Sequence, residues 1–190
     1  FFLPGFFIIM MSENAYNASL ATLYSLGKFG IKLGLSTIKG MLGGLGNPQK
    51  GFKSIHVAGT NGKGSIASTL SSILASSGKK VGLYTSPHLV RFNERICINN
   101  RPISDQDVVA AYEAAKTNYQ GSRKPTFFEY ATAMAFFAFG RHHVDWAVIE
   151  TGMGGRLDAT NIITPVLSVI SNISLEHKIY LGNTLGQIAK

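Results

Sequence analysis

Hydrophobic positions fall into short blocks whose spacing switches between helical and extended. Ile38, Met41, Leu42 and Leu45 recur at helical intervals behind Ser36, which predicts a helix capped by Ser36 and ended by the GNPQ run at 46–49. A weaker pattern predicts an earlier helix around residues 17–26. The apolar block SIHVA (54–58) predicts a strand, a glycine-rich loop follows, and Ile66, Leu70, Ile73 and Leu74 mark one face of the next helix. KKVGLYT (79–85) returns as a second strand. Strand, loop, helix, strand is a βαβ unit, whose two strands must run parallel.

Further along, RICINNRPI (95–103) alternates as a hairpin that turns at Asn99 and Asn100, residues that tolerate positive φ. Ser104 with Asp107 predicts a helix start reaching to about Tyr119. Thr126 with Glu129 has capping-box spacing ahead of an apolar helix to about Phe139. VDWAVI (144–149) and VLSVISNI (166–173) are long enough and apolar enough to be buried strands. The fold class is α/β, a mostly parallel sheet flanked by helices. Neither an internal repeat nor a long linker interrupts it.

Composition narrows the picture. The chain has 190 residues, 45% hydrophobic and 15% charged, enough for one domain with a core and too few for two ordinary ones. One cysteine, Cys97, excludes an internal disulfide framework and a multi-cysteine metal site, which fits a cytoplasmic setting; in the hairpin it reads as structural. The net charge of +8 comes from basic residues scattered in ones and twos, a pattern that suits an anionic small substrate better than nucleic acid. The opening FFLPGFFIIM is far shorter than a membrane span of about 20 residues and lacks a signal peptide's basic leader. Residues 1–11 therefore read as a non-native leader, with Met10 or Met11 as the natural start.

Candidate chemistry centres on HVAGTNGKGS (56–65). The common phosphate loop is G-x-x-x-x-G-K-[ST]. Here Val57 stands where its first glycine would be, and Gly64 stands where its hydroxyl would be. Gly59, Thr60, Asn61, Gly62, Lys63, Gly64 and Ser65 nevertheless lie between a strand end and a helix start, where backbone N–H groups and the helix dipole favour an anion. With Gly64 unable to ligate Mg²⁺ and Ser65 displaced by one residue, metal ligands are expected to come partly from elsewhere, and other strand ends offer the candidates Ser86, Glu150 and His177. Each also has a plainer reading: a salt-bridged carboxylate for Glu150, a buried or surface histidine for His177. Glu129 serves its capping box or touches substrate, Asp158 lines a site or caps a turn before Asn161, and Arg91, Arg95 and Arg156 are solvated cations or partners of a polyanionic ligand.

Taken together, HVAGTNGKGS, GLYTSPHLVRFNERI, FFEYATAMAF and IETGMGGRLDATN closely resemble the folylpolyglutamate synthase/dihydrofolate synthase family of the Mur ligase superfamily. GTNGKG marks the superfamily only, which leaves another Mur-type amide ligase as an alternative; SPHLVRFNERI and GGRLDATN are specific to the folate branch. The resemblance covers residues 20 to 190. It implies that the 59–65 loop holds the ATP phosphates, that Lys63, Glu150 and His177 are catalytic, and that Ser86, Glu150 and His177 ligate Mg²⁺. It further implies that Phe128 and neighbouring Thr126, with Leu157, Asp158 and Ala159, form part of the pterin pocket, beside which Glu129 keeps both of its readings, and that Ser86, Pro87, His88 and Leu89 shape the folate site.

The implied reaction is ATP-dependent addition of L-glutamate to dihydropteroate or tetrahydrofolate through an acyl phosphate, by a monomer that needs neither nucleic acid nor membrane. The family usually has Asp-His-Thr where this chain has Glu176-His177-Lys178, which sets a cation beside a proposed metal ligand. Family members are also about twice as long. Residues 12–190 thus read as an incomplete N-terminal ATP-binding domain without its glutamate-ligase partner domain, and with the family's carbamylated lysine expected just beyond Lys190. On that reading the chain alone binds nucleotide or folate without turnover. A basic nucleic-acid-binding loop protein is the remaining alternative, and salt-dependent binding to DNA or RNA would reveal it.

Overall fold

The computed structural model describes residues 4–27 and 32–190. In chain order the elements are α1 (Pro4–Leu26), α2 (Ser36–Gly44), β1 (Lys53–Ala58), α3 (Lys63–Ser76), β2 (Val81–Tyr84), β3 (Ile96–Ile98), β4 (Arg101–Pro102), α4 (Asp105–Thr117), α5 (Phe127–Arg141), β5 (Trp146–Glu150), β6 (Leu167–Ile170), α6 (Lys178–Leu181) and α7 (Leu185–Ile188). The six strands form one sheet in the order β4-β3-β2-β5-β1-β6. β2, β5, β1 and β6 are parallel, and the β3–β4 hairpin adds an antiparallel edge.

The hairpin turns as its sequence predicts. Asn99 and Asn100 both take positive φ, 48° and 61°, and the Asn99 side chain accepts from the Val81 N–H at 2.8 Å, tying the turn to β2. Ser104 accepts from Asp107 N at 3.1 Å at the start of α4. Thr126 and Glu129 form the reciprocal capping box of α5.

Helices cover both faces of the sheet. The larger core joins α1, α2, α4 and α5 to one face through Leu23, Met41, Tyr84, Phe92, Phe136 and Ile149. The smaller core lies under α3, where Ile66, Leu70 and Leu74 pack against Ile55, Val57, Val81, Leu83 and Val148. Alternate β-strand residues therefore serve opposite cores, as the two-residue period requires.

Three expectations change. Ser36 is the first residue inside α2 and makes no capping bond; Leu35 is the N-cap. Ile73 is 60% exposed rather than on the packed face of α3. β6 is not a buried strand: it is the sheet edge, paired only with β1, and Leu167 and Ile170 stay exposed. Residues 1–3 of the expected leader lie outside the described residues, whereas residues 4–11 belong to α1, which begins with a proline suited to a first helical turn. Among the described residues no helix is long and apolar enough to cross a membrane.

Candidate functional site

The carboxyl ends of β2, β5, β1 and β6 are neighbours, and the loops that leave them surround a cavity of about 780 Å³. Such an end is where open α/β sheets hold ligands.

One wall is the glycine loop. Gly59 takes φ 130°, and a Cβ there would collide with the Ser171 side chain, so the turn out of β1 admits only glycine. Gly62, at φ 80°, is the N-cap of α3. The loop is strapped to the segment after β6: Thr60 N donates to the Asn172 carbonyl at 2.7 Å, Asn61 N to Asn172 Oδ1 at 3.0 Å, and Ser174 N to Thr60 Oγ1 at 3.0 Å. Lys63 Nζ reaches back to the Thr60 carbonyl at 3.0 Å. Thr60 to Ser65 line the cavity, while Gly59 lies behind them, against a smaller hollow of about 140 Å³ shared with Lys63 and His177.

A second wall is carboxylate and hydroxyl. Glu150, buried at the end of β5, accepts from the Ser86 N–H at 2.8 Å through Oε2, leaving Oε1 open. Burial pushes its carboxyl above the ordinary range, against the pull of the Ser86 N–H and of the Lys63 and Arg95 charges. Ser86, Pro87 and Glu150 line the cavity, as does exposed His177, which sits at φ 49° beside Glu176. Among the described residues no group of three or more His, Cys, Asp and Glu side chains is disposed to hold a metal. The hydroxyl of Ser86 and the open oxygen of Glu150 are hard donors that fit Mg²⁺, an ion that keeps several waters. The His177 imidazole fits it less well.

The third wall carries the aromatic and acidic residues. Thr126, Phe127, Phe128, Glu129, Leu157, Asp158 and Ala159 all line the cavity. Glu129 is 2% exposed; Oε2 accepts from Thr126 N at 2.8 Å, and Arg123 donates to Oε1. Arg123 Nε also donates to Thr37 Oγ1, so α2 braces the start of α5. Asp158 is equally committed: Oδ2 accepts from the Gly152 and Met153 N–H groups at 2.9 and 3.0 Å, and Oδ1 from Thr160 N and Oγ1. The Thr160 hydroxyl, having donated to Asp158, accepts from His56 Nε2 at 2.8 Å. Glu129 and Asp158 thus hold the shape of this wall as well as facing the cavity.

Of the residues expected to shape the folate site, His88 and Leu89 do not line the cavity; Leu89 is exposed, and His88 is set back. It contacts Arg95, whose Nε donates to His88 Nδ1 at 2.7 Å. Burial and the Arg95 charge lower the His88 pKa, in keeping with a ring nitrogen that must stay bare to accept. Arg95 itself, which the sequence leaves open as a solvated cation, is 7% exposed and lines the cavity. A single charged residue at the end of a 3₁₀ turn, just before a three-residue strand, carries no periodic signal that would have revealed this. The brace through Arg123 and the His56–Thr160 contact likewise depend on residues distant in sequence.

No family model matches the chain. It is 42% identical over 181 residues to the dihydrofolate synthase/folylpolyglutamate synthase of Bacillus subtilis, a match taking in 92% of this chain and 42% of that protein. Among solved structures it superposes on FolC of Escherichia coli in complex with DHPP and ADP with TM-score 0.84 at 36% identity, covering 90% of this chain and 42% of that one. It also superposes on a folylpolyglutamate synthase in complex with AMPPCP and folate, with TM-score 0.81 at 43% identity, covering 91% of this chain and 44% of that one. The chain therefore spans about two-fifths of the length of the relatives it matches. Over about nine-tenths of its own length, it belongs to the folylpolyglutamate synthase/dihydrofolate synthase family.

Proposed function

We propose that this chain forms the nucleotide- and folate-binding part of an ATP-dependent ligase that adds L-glutamate to dihydropteroate or tetrahydrofolate. The observation that carries the reading is one cavity lined both by the Lys63 loop and by Phe128 and Asp158. Relatives of the same fold are described in complex with ADP or AMPPCP, one of them together with folate.

In this reading the backbone N–H groups of the 60–65 loop and the Lys63 ammonium hold the ATP phosphates. A folate-side carboxylate, brought beside the phosphates within the same cavity, attacks the γ-phosphorus and releases ADP; the glutamate amine then displaces phosphate from the acyl phosphate to give the amide. Phosphoryl transfer of this kind depends on positioning and charge neutralisation rather than on covalent participation by the protein. Ser86 and Glu150 would hold Mg²⁺, which supplies charge neutralisation when bound, with His177 as an outer contributor. Monomeric state and a cytoplasmic location are part of the same proposal.

Residues 12–190 are, in this proposal, a domain that binds both ligands while ligation draws on further chain. Titration of the 190-residue protein with AMPPCP and then with pteroate tests the binding half: both ligands are expected to bind together, and mutual exclusion would defeat the reading. With ATP, Mg²⁺, dihydropteroate and glutamate, mass spectrometry is expected to find no amide product. Multiple turnovers by this chain alone would show that the proposed division of labour is wrong.

A further inference from the structure

The amino ends of the parallel strands carry another cavity, of about 660 Å³. Lys53 and Trp146, the first residues of β1 and β5, pair in register there. The Lys63 loop leaves the far end of β1, five residues on, or roughly 17 Å at the rise of a strand. Lys50, Lys53, Lys79 and His143 line this second cavity, all four exposed, and among the described residues no arginine does. Asp145 brings the only carboxylate among the described lining residues, and its Oδ2 already accepts from the Lys80 N–H at 2.8 Å. None of the three lysines is in an ion pair among the described residues. The floor is apolar: Phe139 and Val144 are buried, and the Phe52 ring stands edge-on to Phe139 at 5.8 Å. Lys53 Nζ lies 5.5 Å from the centre of the Trp146 ring, a cation–π contact that holds one of the charges in place.

A lysine at a strand end is ordinarily no more than a solvated charge. Three of them around one hollow, with its carboxylate tied to the backbone, repel one another unless an anion joins them. Lysine binds phosphate as a compact point charge, and the planar fork of arginine, which favours carboxylates, is lacking here. The volume falls within the range of about 300–1,000 Å³ usual for small-molecule sites. We propose that this hollow is a second anion site, in which Lys50, Lys53 and Lys79 take a ligand bearing two or more linked phosphates. The phosphates come either as a free inorganic anion or as part of a nucleotide. The site goes beyond the ligase reading and does not depend on it, since it shares no residue with the cavity of the Lys63 loop.

Trp146 is the one tryptophan of the chain, so its emission reports this cavity rather than the Lys63 loop. Pyrophosphate is titrated into the 190-residue chain at about 0.15 M salt, where exposed charges more than about 8 Å apart are largely screened. The emission is expected to change saturably. Lys50→Gln/Lys79→Gln, which leaves the Lys53–Trp146 contact in place, is expected to weaken the response at least tenfold, whereas Lys63→Ala keeps it. AMPPCP in place of pyrophosphate separates the two sources. A response at equal or lower concentration identifies a nucleotide, and a weaker one or none identifies the free anion. The assignment is overturned if neither ligand gives a saturable response, or if sodium sulfate at matched ionic strength gives an equal one. A response that survives in the double variant, or that disappears in Lys63→Ala, overturns it as well.

Discussion

Lys63 is held in the loop it serves. Its ammonium donates to the Thr60 carbonyl at 3.0 Å, three residues back, so the cation sits over the backbone turn rather than in bulk water. Lys63→Ala is expected to weaken AMPPCP binding by at least about tenfold, or about 1.4 kcal/mol, and to leave pteroate binding unchanged. Calorimetric titration checks this, and equal AMPPCP affinity in the two proteins would remove Lys63 from the phosphate site. Gly152 poses a packing question instead. A Cβ there would approach Phe128 Cζ to 2.5 Å, so Gly152→Ala must push the ring off the cavity wall. The expected cost is about 1–3 kcal/mol of stability, typical of overpacking, with a weakened pteroate site and an intact AMPPCP site. Denaturant melts and the same two titrations decide it; a variant as stable as wild type would mean that the ring yields freely.

At the scale of elements, α5 links the fold to the site. Its buried face, including Met134, Phe136 and Phe139, anchors it on the sheet, while its first turn presents Phe127 and Phe128 to the cavity. The capping box fixes where that turn begins: Glu129 N donates to Thr126 Oγ1 at 3.2 Å, and Thr126 N to Glu129 Oε2 at 2.8 Å. Thr126→Ala is expected to cost about 1 kcal/mol, as loss of an N-cap usually does, and also to loosen the aromatic pair. Thr126→Ser, which keeps the hydroxyl, should restore most of both. If Ala and Ser variants melt alike, the cap contributes nothing measurable. β6 shows the opposite situation. Because only β1 pairs with it, its apolar residues remain on the surface despite a composition suited to a core.

At the scale of the whole molecule, buried titratable groups tie stability to pH. Burial holds the His56 imidazole below its ordinary pKa, only partly opposed by Asp158. In the unfolded chain the same side chain protonates near pH 6.5, at about its reference value. The folded state binds the proton less readily, so the contribution of His56 is fully present above about pH 6.5 and is lost as pH falls toward the lower folded pKa. The melting temperature is therefore expected to drop between pH 7.5 and pH 5, and His56→Gln to flatten part of that drop. Scanning calorimetry across this range is the measurement, and parallel curves for the two proteins would exclude His56 as a source. The cost of burying Glu150 has the other sign, since its raised pKa penalises the ionised form at neutral pH.

What the sequence determined by itself was local or periodic. The βαβ unit, the Asn99–Asn100 turn and the caps at Ser104 and Thr126 depend on neighbours within a few residues, so the order of residue types suffices to read them. The glycine loop is legible for the same reason, since its glycines and lysine lie together between a strand end and a helix start; that a Cβ at Gly59 would meet Ser171 is a tertiary fact. The resemblance to a family, carried by four short blocks, supplied the rest of the candidate site. Tertiary structure decided which charges are buried. Arg95 and His56 read as isolated polar residues, yet packing takes both out of water, and the partners of His56 and of Arg123, Thr160 and Thr37, lie 104 and 86 positions away. It also decided that β6 is an edge and that Ile73 faces solvent, because burial depends on which elements arrive beside a residue.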